Sequence, residues 1–208
     1  MSTSPHLIHL ADIAPQPWRN GAGRTRELLA WPSADDWLLR LSVAEITRNG
    51  PFSRFVGVQR WFAVIAGAGV AVTVDGVRHA QAIASPPLCF EGDASTHADL
   101  LDGPSTDLNL MLRAGTRGSM ALARAGQDWL PGSAGCGLFS AAGGICKADD
   151  QPYPLPAWAL LWFEQAPATL RWLPAAPTSL YPLTGWWLAA SLYPVTGWWL
   201  AASPQAAG

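Results

Sequence analysis

Twenty glycines and eighteen prolines are spread along all 208 residues, and no other feature limits the choice of fold so strongly. Inside a helix each glycine costs about 1 kcal/mol and each proline about 3 kcal/mol relative to alanine. The apolar runs left between them are too short to carry the period of a long helix. Half of the residues are hydrophobic and 13% are charged, so the chain has the means to bury a core and falls outside the disordered class. Short apolar runs separated by turn residues are read as an all-β fold.

The runs themselves agree. Trp37–Ala44 alternates bulky apolar with small or polar residues, the pattern of a strand with one face in a core. Asn49-Gly50-Pro51 ends it. Arg60–Gly67 and Gly69–Val74 are nearly continuous runs of β-formers, and Asp75-Gly76 is a hairpin signal before Val77. Leu88–Phe90 leads into a turn at Glu91-Gly92-Asp93, and Asp107–Arg113 alternates with its polar residues on one face. Further on, Trp158–Glu164 and Ala168–Leu173 read as buried strands, and Gly132–Gly144 as either strand and turn or loop. Short strands at regular turn spacing predict a barrel or sandwich.

Charge excludes several partners. A formal net charge of -2 gives no field to draw the chain onto nucleic acid or anionic lipid. Lys147 is the single lysine, so the other cations are guanidinium forks suited to carboxylates. Cys89, Cys136 and Cys146 make an odd set with no zinc or disulfide spacing, and the N-terminus lacks the charged and apolar regions of a secretory signal. A cytoplasmic location is expected. After Arg171 no charge appears through Gly208, which raises a membrane span. Pro194 near the middle of the most apolar window, Gly185, Gly197 and the absence of flanking Lys or Arg speak against it.

That terminal stretch contains a tandem duplication. Residues 179–190 and 191–202 match at eleven of twelve positions, differing at Leu183 and Val195. Two copies fall short of a repeat architecture. If one copy supplies a terminal strand the other has no allotted place, and deleting residues 191–202 is expected to leave ligand affinity unchanged.

Polar residues among apolar strands concentrate between Trp18 and Arg113. Trp18–Leu28 combines Asn20, Gly21, Gly23 and the guanidiniums of Arg19, Arg24 and Arg26. It lacks the phosphate-loop pattern and reads as a tight turn entering an edge strand. Arg60 directly precedes a hydrophobic run, which sets it at the mouth or inside of a barrel. It then forms a structural pair with a carboxylate such as Glu45, or it presents a fork to a ligand carboxylate. The four histidines form no HxH or HExxH, and no G-x-S-x-G elbow is present. A metal site and a covalent hydrolase are both disfavoured.

Taken in order, the motifs Trp18-x-Asn20-Gly21-x-Gly23-x-Thr25-Arg26-Glu27, Leu41-Ser42-x-Ala44-Glu45-Ile46, Gly50–Phe55, Leu100–Pro104 and Asp107–Met111 resemble the HutD/Ves family over residues 17–113. Beyond Arg113 the likeness is diffuse. The resemblance implies a cupin-type, RmlC-like jelly-roll fold with two germin-like barrels in one chain, and an association with histidine utilisation. It divides the chain into a first barrel at 1–115, carrying the motifs, and a second at 116–208, ending in the duplication. The metal that cupins commonly hold lacks its HxH-and-Glu cluster here, and Gly92-Asp93 with His97 and Asn109 is at most a remnant of it. No cofactor or metal is therefore expected. Gln59, Trp61 and the duplication depart from the family pattern.

The resemblance raises the ligand reading of Arg60. Urocanate and its successors in histidine breakdown are small carboxylates, so Arg60 is expected to fork the carboxylate while Glu45 or Asn20 meets an imidazole N–H. Trp61, Phe55 and Met111 would form the wall, with Asn109 and Arg26 as further ligand-binding candidates. The leading function is a metal-free sensor that binds such an acid and limits pathway output. The alternative is a metal-independent isomerase, lyase or hydrolase with Glu45 or His97 as general base. A third reading makes the tryptophan-rich second half a protein interface. A homodimer is left open.

Overall fold

The computed structural model describes residues 4–132, 135–175 and 185–191. In chain order its strands are β1 (His6–His9), β2 (Gln16–Pro17), β3 (Gly23–Trp31), β4 (Leu39–Ile46), β5 (Gly50–Pro51), β6 (Val58–Gly67), β7 (Val70–Val74), β8 (Val77–Gln81), β9 (Leu88–Glu91), β10 (Thr96–Leu100) and β11 (Ser105–Arg113). There follow β12 (Arg117–Ala123), β13 (Asp128–Trp129), β14 (Gly135–Ser140), β15 (Gly144–Ala148), β16 (Gln151–Leu155), β17 (Ala159–Phe163), β18 (Leu170–Pro174) and β19 (Gly185–Ser191). The fold is all-β, as the glycine and proline spacing predicts. Asp75-Gly76 joins β7 to β8 with both residues at positive φ, 45° and 84°, the backbone a two-residue hairpin turn requires.

The strands make four sheets in four layers. The sheet β5-β10-β7-β8 and the sheet β2-β3-β4-β11-β6-β9 enclose the first barrel. Its interior holds Ile46, Phe62, Val64, Val70, Val72, Phe90 and Ala98. The sheet β1-β17-β14-β19-β12 and the sheet β13-β18-β15-β16 enclose the second, around Leu138, Leu161, Leu170, Trp172 and Trp187. The chain's first strand thus belongs to the second set of sheets, with His6 to His9 paired antiparallel to Trp162 to Ala159.

A third core joins the barrels. Leu39, Leu41, Val43, Ile65, Leu108, Leu110 and Leu112 from the six-stranded sheet meet Phe139, Leu160, Trp162, Trp186 and Leu188 from the five-stranded one. Both sheets are therefore covered on both faces. This explains why β6, β17 and β19 read as continuous apolar runs and not as alternating ones. The stretch read as strand and turn or loop contains β14, whose six residues are all buried. The first copy of the duplication supplies β19, and the second copy beyond Ser191 lies outside the described residues. No helix among the described residues is long and apolar enough to cross a membrane.

Candidate functional site

Strand β6 sorts its side chains by parity. Phe62 and Val64 enter the first barrel, whereas Ala63 and Ile65 join the core between the barrels, with Trp61 packed against it. Arg60 shares the parity of Phe62 and so points into the barrel. On the neighbouring β11, Met111 stands opposite Arg60, Asn109 opposite Phe62 and Asp107 opposite Val64. The polar face of Asp107–Arg113 recognised in the sequence is turned inward.

There Arg60 is 5% exposed. Its Nη2 donates to Asn109 Oδ1 at 3.1 Å, and Nη1 makes a long 3.5 Å contact with the Ser53 carbonyl. Its Nε has no partner among the described residues. Asn109 Nδ2 donates to Asp107 Oδ2, while Asp107 Oδ1 is buried without a partner among the described residues. Three phenyl rings surround the guanidinium, with the Phe52, Phe90 and Phe55 centroids 5.1, 5.2 and 5.8 Å from its carbon. Aromatic faces offset part of the desolvation of a buried cation. Burial pulls the guanidinium down to about 10, so it stays charged at neutral pH. Burial also lifts the Asp107 carboxyl to about 7, against the opposing effects of Asn109 and Arg60. The result is a buried cation whose Nε has no partner and which has no carboxylate in direct contact among the described residues.

The loop carrying Gly50–Phe55 is held over this group. Phe52 N–H donates to the Thr96 carbonyl at 3.0 Å and Phe55 N–H to the Gly92 carbonyl at 2.7 Å. Trp37, Val58 and Met111 form a small apolar cluster against which Phe55 packs. On the far side of Met111 from Arg60 stands Arg40, whose Nε lies 2.5 Å from Glu27 Oε2.

Of the residues expected to gather at Arg60, Phe55, Met111 and Asn109 do so. Glu45, Arg26, Asn20 and Trp61 do not, which corrects the expected grouping. Glu45 and Arg26 have the parity of Val43, on the opposite face of the sheet. There Glu45 accepts from Arg24 Nη2 at 2.5 Å and Arg26 Nη1 at 2.9 Å. The Arg24 bond foremost holds its carboxyl below the usual range, and Arg26 is further tied by Nε to the Ile13 carbonyl. The structural pair foreseen for Arg60 with Glu45 is therefore made by Arg24 and Arg26. Asn20 serves its own turn, Oδ1 accepting from Ala22 N–H at 3.0 Å. Sequence reading missed Phe52, Phe90, Asp107, Arg40 and Glu27. Asp107 carried a usable signal, since it shares the two-residue period of Asn109 and Met111.

The metal common to cupins does not fit these residues. Among the described residues no group of three or more His, Cys, Asp or Glu is placed to hold one, and the Arg60 guanidinium would repel a cation beside it. His97, half-exposed on β10, lies 3.4 Å from Asp99, which Arg78 also pairs at 2.9 Å. Two surface clefts of about 450 Å³ each lie elsewhere, one beside Trp31 and Trp162, the other beside Tyr153 and Phe163. Neither contains a buried charged group.

Comparison with known proteins identifies the family and the fold. Residues 10–178 match the model of the family described as HutD. Protein Ves of Cronobacter sakazakii is 30% identical over 79% of this chain and 90% of its own length. An uncharacterised 21.2 kDa protein in the hutC 3' region of Pseudomonas putida is 34% identical over 50% of this chain, and the chain spans only 56% of that relative. The structure of HutD from Pseudomonas fluorescens SBW25 superposes with a TM-score of 0.75 at 23% identity, covering 90% of this chain and 98% of that one. A cupin 2 conserved barrel domain protein from Leptotrichia buccalis gives 0.53 at 8%, covering 88% and 95%. The latter two likenesses concern the fold, which is that of the cupins. The chain belongs to the HutD family.

Proposed function

We propose that the chain binds a small carboxylate of histidine breakdown, urocanate or a related acid, at Arg60 inside the first barrel, and so modulates histidine utilisation without turning the ligand over. One observation carries the reading: Arg60 is buried among three phenyl rings, with its Nε unpartnered and no carboxylate in contact among the described residues. A buried charge left in that state costs stability, and an anionic ligand removes the cost. Phe52, Phe55 and Phe90 suit a flat or apolar body attached to the carboxylate. Membership in a family with a relative in the hutC 3' region supports the choice of acid. The enzymatic alternative gains nothing from the geometry, because Glu45 is locked between two guanidiniums and His97 stands on another strand facing Asp99.

Isothermal titration of the full chain with urocanate, beside histidine, glutamate and formate, tests this. Arg60→Ala and Arg60→Lys should each weaken binding tenfold or more, about 1.5–3 kcal/mol for a charge-assisted bond. Equal binding by Arg60→Ala, or no heat with any of the four, would return Arg60 to a structural role.

A further inference from the structure

Strand β19 is fully integrated. It pairs with β12 along one edge and β14 along the other. Trp186 and Leu188 reach the core between the barrels, and Trp187 reaches the second barrel, where its ring stacks on Trp129 at a centroid distance of 5.0 Å. Residues 185–191 read GWWLAAS, and residues 197–203 read GWWLAAS. Every side chain and backbone donor that fits the slot between β12 and β14 is thus encoded twice.

We propose that this slot accepts either copy, so that residues 197–203 can take the place of Gly185–Ser191 when the chain slides by twelve residues. Because the two strands are identical, all contacts inside the slot are reproduced. Any shorter slip misaligns the tryptophans, and an odd one reverses the faces. The penalty falls on the connection from β18. Ten residues lie between Pro174 and Gly185, and twenty-two would lie between Pro174 and Gly197. Loop closure rises with the logarithm of length, which disfavours the second copy by only about threefold. The occupant is the chain's own second copy, since GWWLAAS occurs nowhere else in the sequence and that copy starts six residues after Ser191 in the same chain.

Substituting one copy at a time tests the proposal. Trp186 is 0% exposed, and an aspartate there cannot be seated without burying an unpaired charge. Full-length Trp186→Asp, Trp198→Asp and the double variant are compared by thermal unfolding and gel filtration. Trp186→Asp should keep a cooperative transition within about 4 °C of wild type and the wild-type elution volume. Trp198→Asp should match wild type, and the double variant should lose the transition. If Trp186→Asp unfolds as completely as the double variant, or folds only with a change in elution, substitution within the chain is wrong.

Discussion

Arg60 and Asp107 are the only charged side chains buried among the described residues, with Asn109 hydrogen-bonded to both. Their separation by an amide leaves each charge partly uncompensated. For Asp107 the effect has a sign that can be measured. Its folded carboxyl titrates at about 7, against about 3.9 in an unfolded chain. Between those values the folded state takes up a proton that the unfolded state does not, so this group adds stability as pH falls from 7 toward 4 and removes it as pH rises through 7. Asp107→Asn should abolish that contribution. Urea unfolding at pH 5, 6, 7 and 8 should show wild type losing stability relative to the variant as pH rises, and parallel profiles would refute the assignment.

At the scale of elements, the first-barrel motifs divide by task. The one around Asn20 builds the turn into β3, and the one around Glu45 lies on β4 and pairs with β3. Gly21 has φ of 65°, and a Cβ on Gly23 would stand 2.3 Å from the Glu45 carbonyl, so the paired glycines serve close packing and no phosphate. Gly50–Phe55 and Asp107–Met111 surround Arg60. The junction between them is Gly92, whose Cβ would lie 2.6 Å from the Phe55 carbonyl and 2.8 Å from that of Val58. Gly92→Ala should push the loop off the barrel, at about 1–3 kcal/mol of stability. It should also weaken ligand binding by displacing Phe55 from Arg60. Denaturant unfolding and the urocanate titration read the two effects separately, and unchanged affinity would show that the loop does not close the site.

At the scale of the molecule, the core between the barrels makes each barrel dependent on the other. One side of that core is the leucine-rich outer face of the six-stranded sheet, and the other is built from β14, β17 and β19. A chain of residues 1–115 alone would expose that face, a contiguous apolar patch of the kind that drives association. It would also carry β1 without its partner β17. Such a fragment should be recovered in the aggregated fraction on expression, while the full chain is not. A well-dispersed fragment with a cooperative transition would show that the first barrel is self-sufficient.

The sequence by itself determined the class of structure and its punctuation, because glycine, proline and two-residue periodicity act locally. Asp75-Gly76 forces a hairpin wherever it stands, and the alternation of Asp107, Asn109 and Met111 puts these residues on one face of any strand. Which face looks inward was decided by the tertiary structure, since both faces of the six-stranded sheet are buried and apolar content no longer distinguishes them. Glu45 and Arg60 illustrate the difference. Both are charged residues at strand positions, and only the register of β3, β4, β11 and β6 sends one to Arg24 and Arg26 and the other among the phenyl rings. The partners of Arg60 lie up to 49 positions away along the chain, so no local pattern could name them.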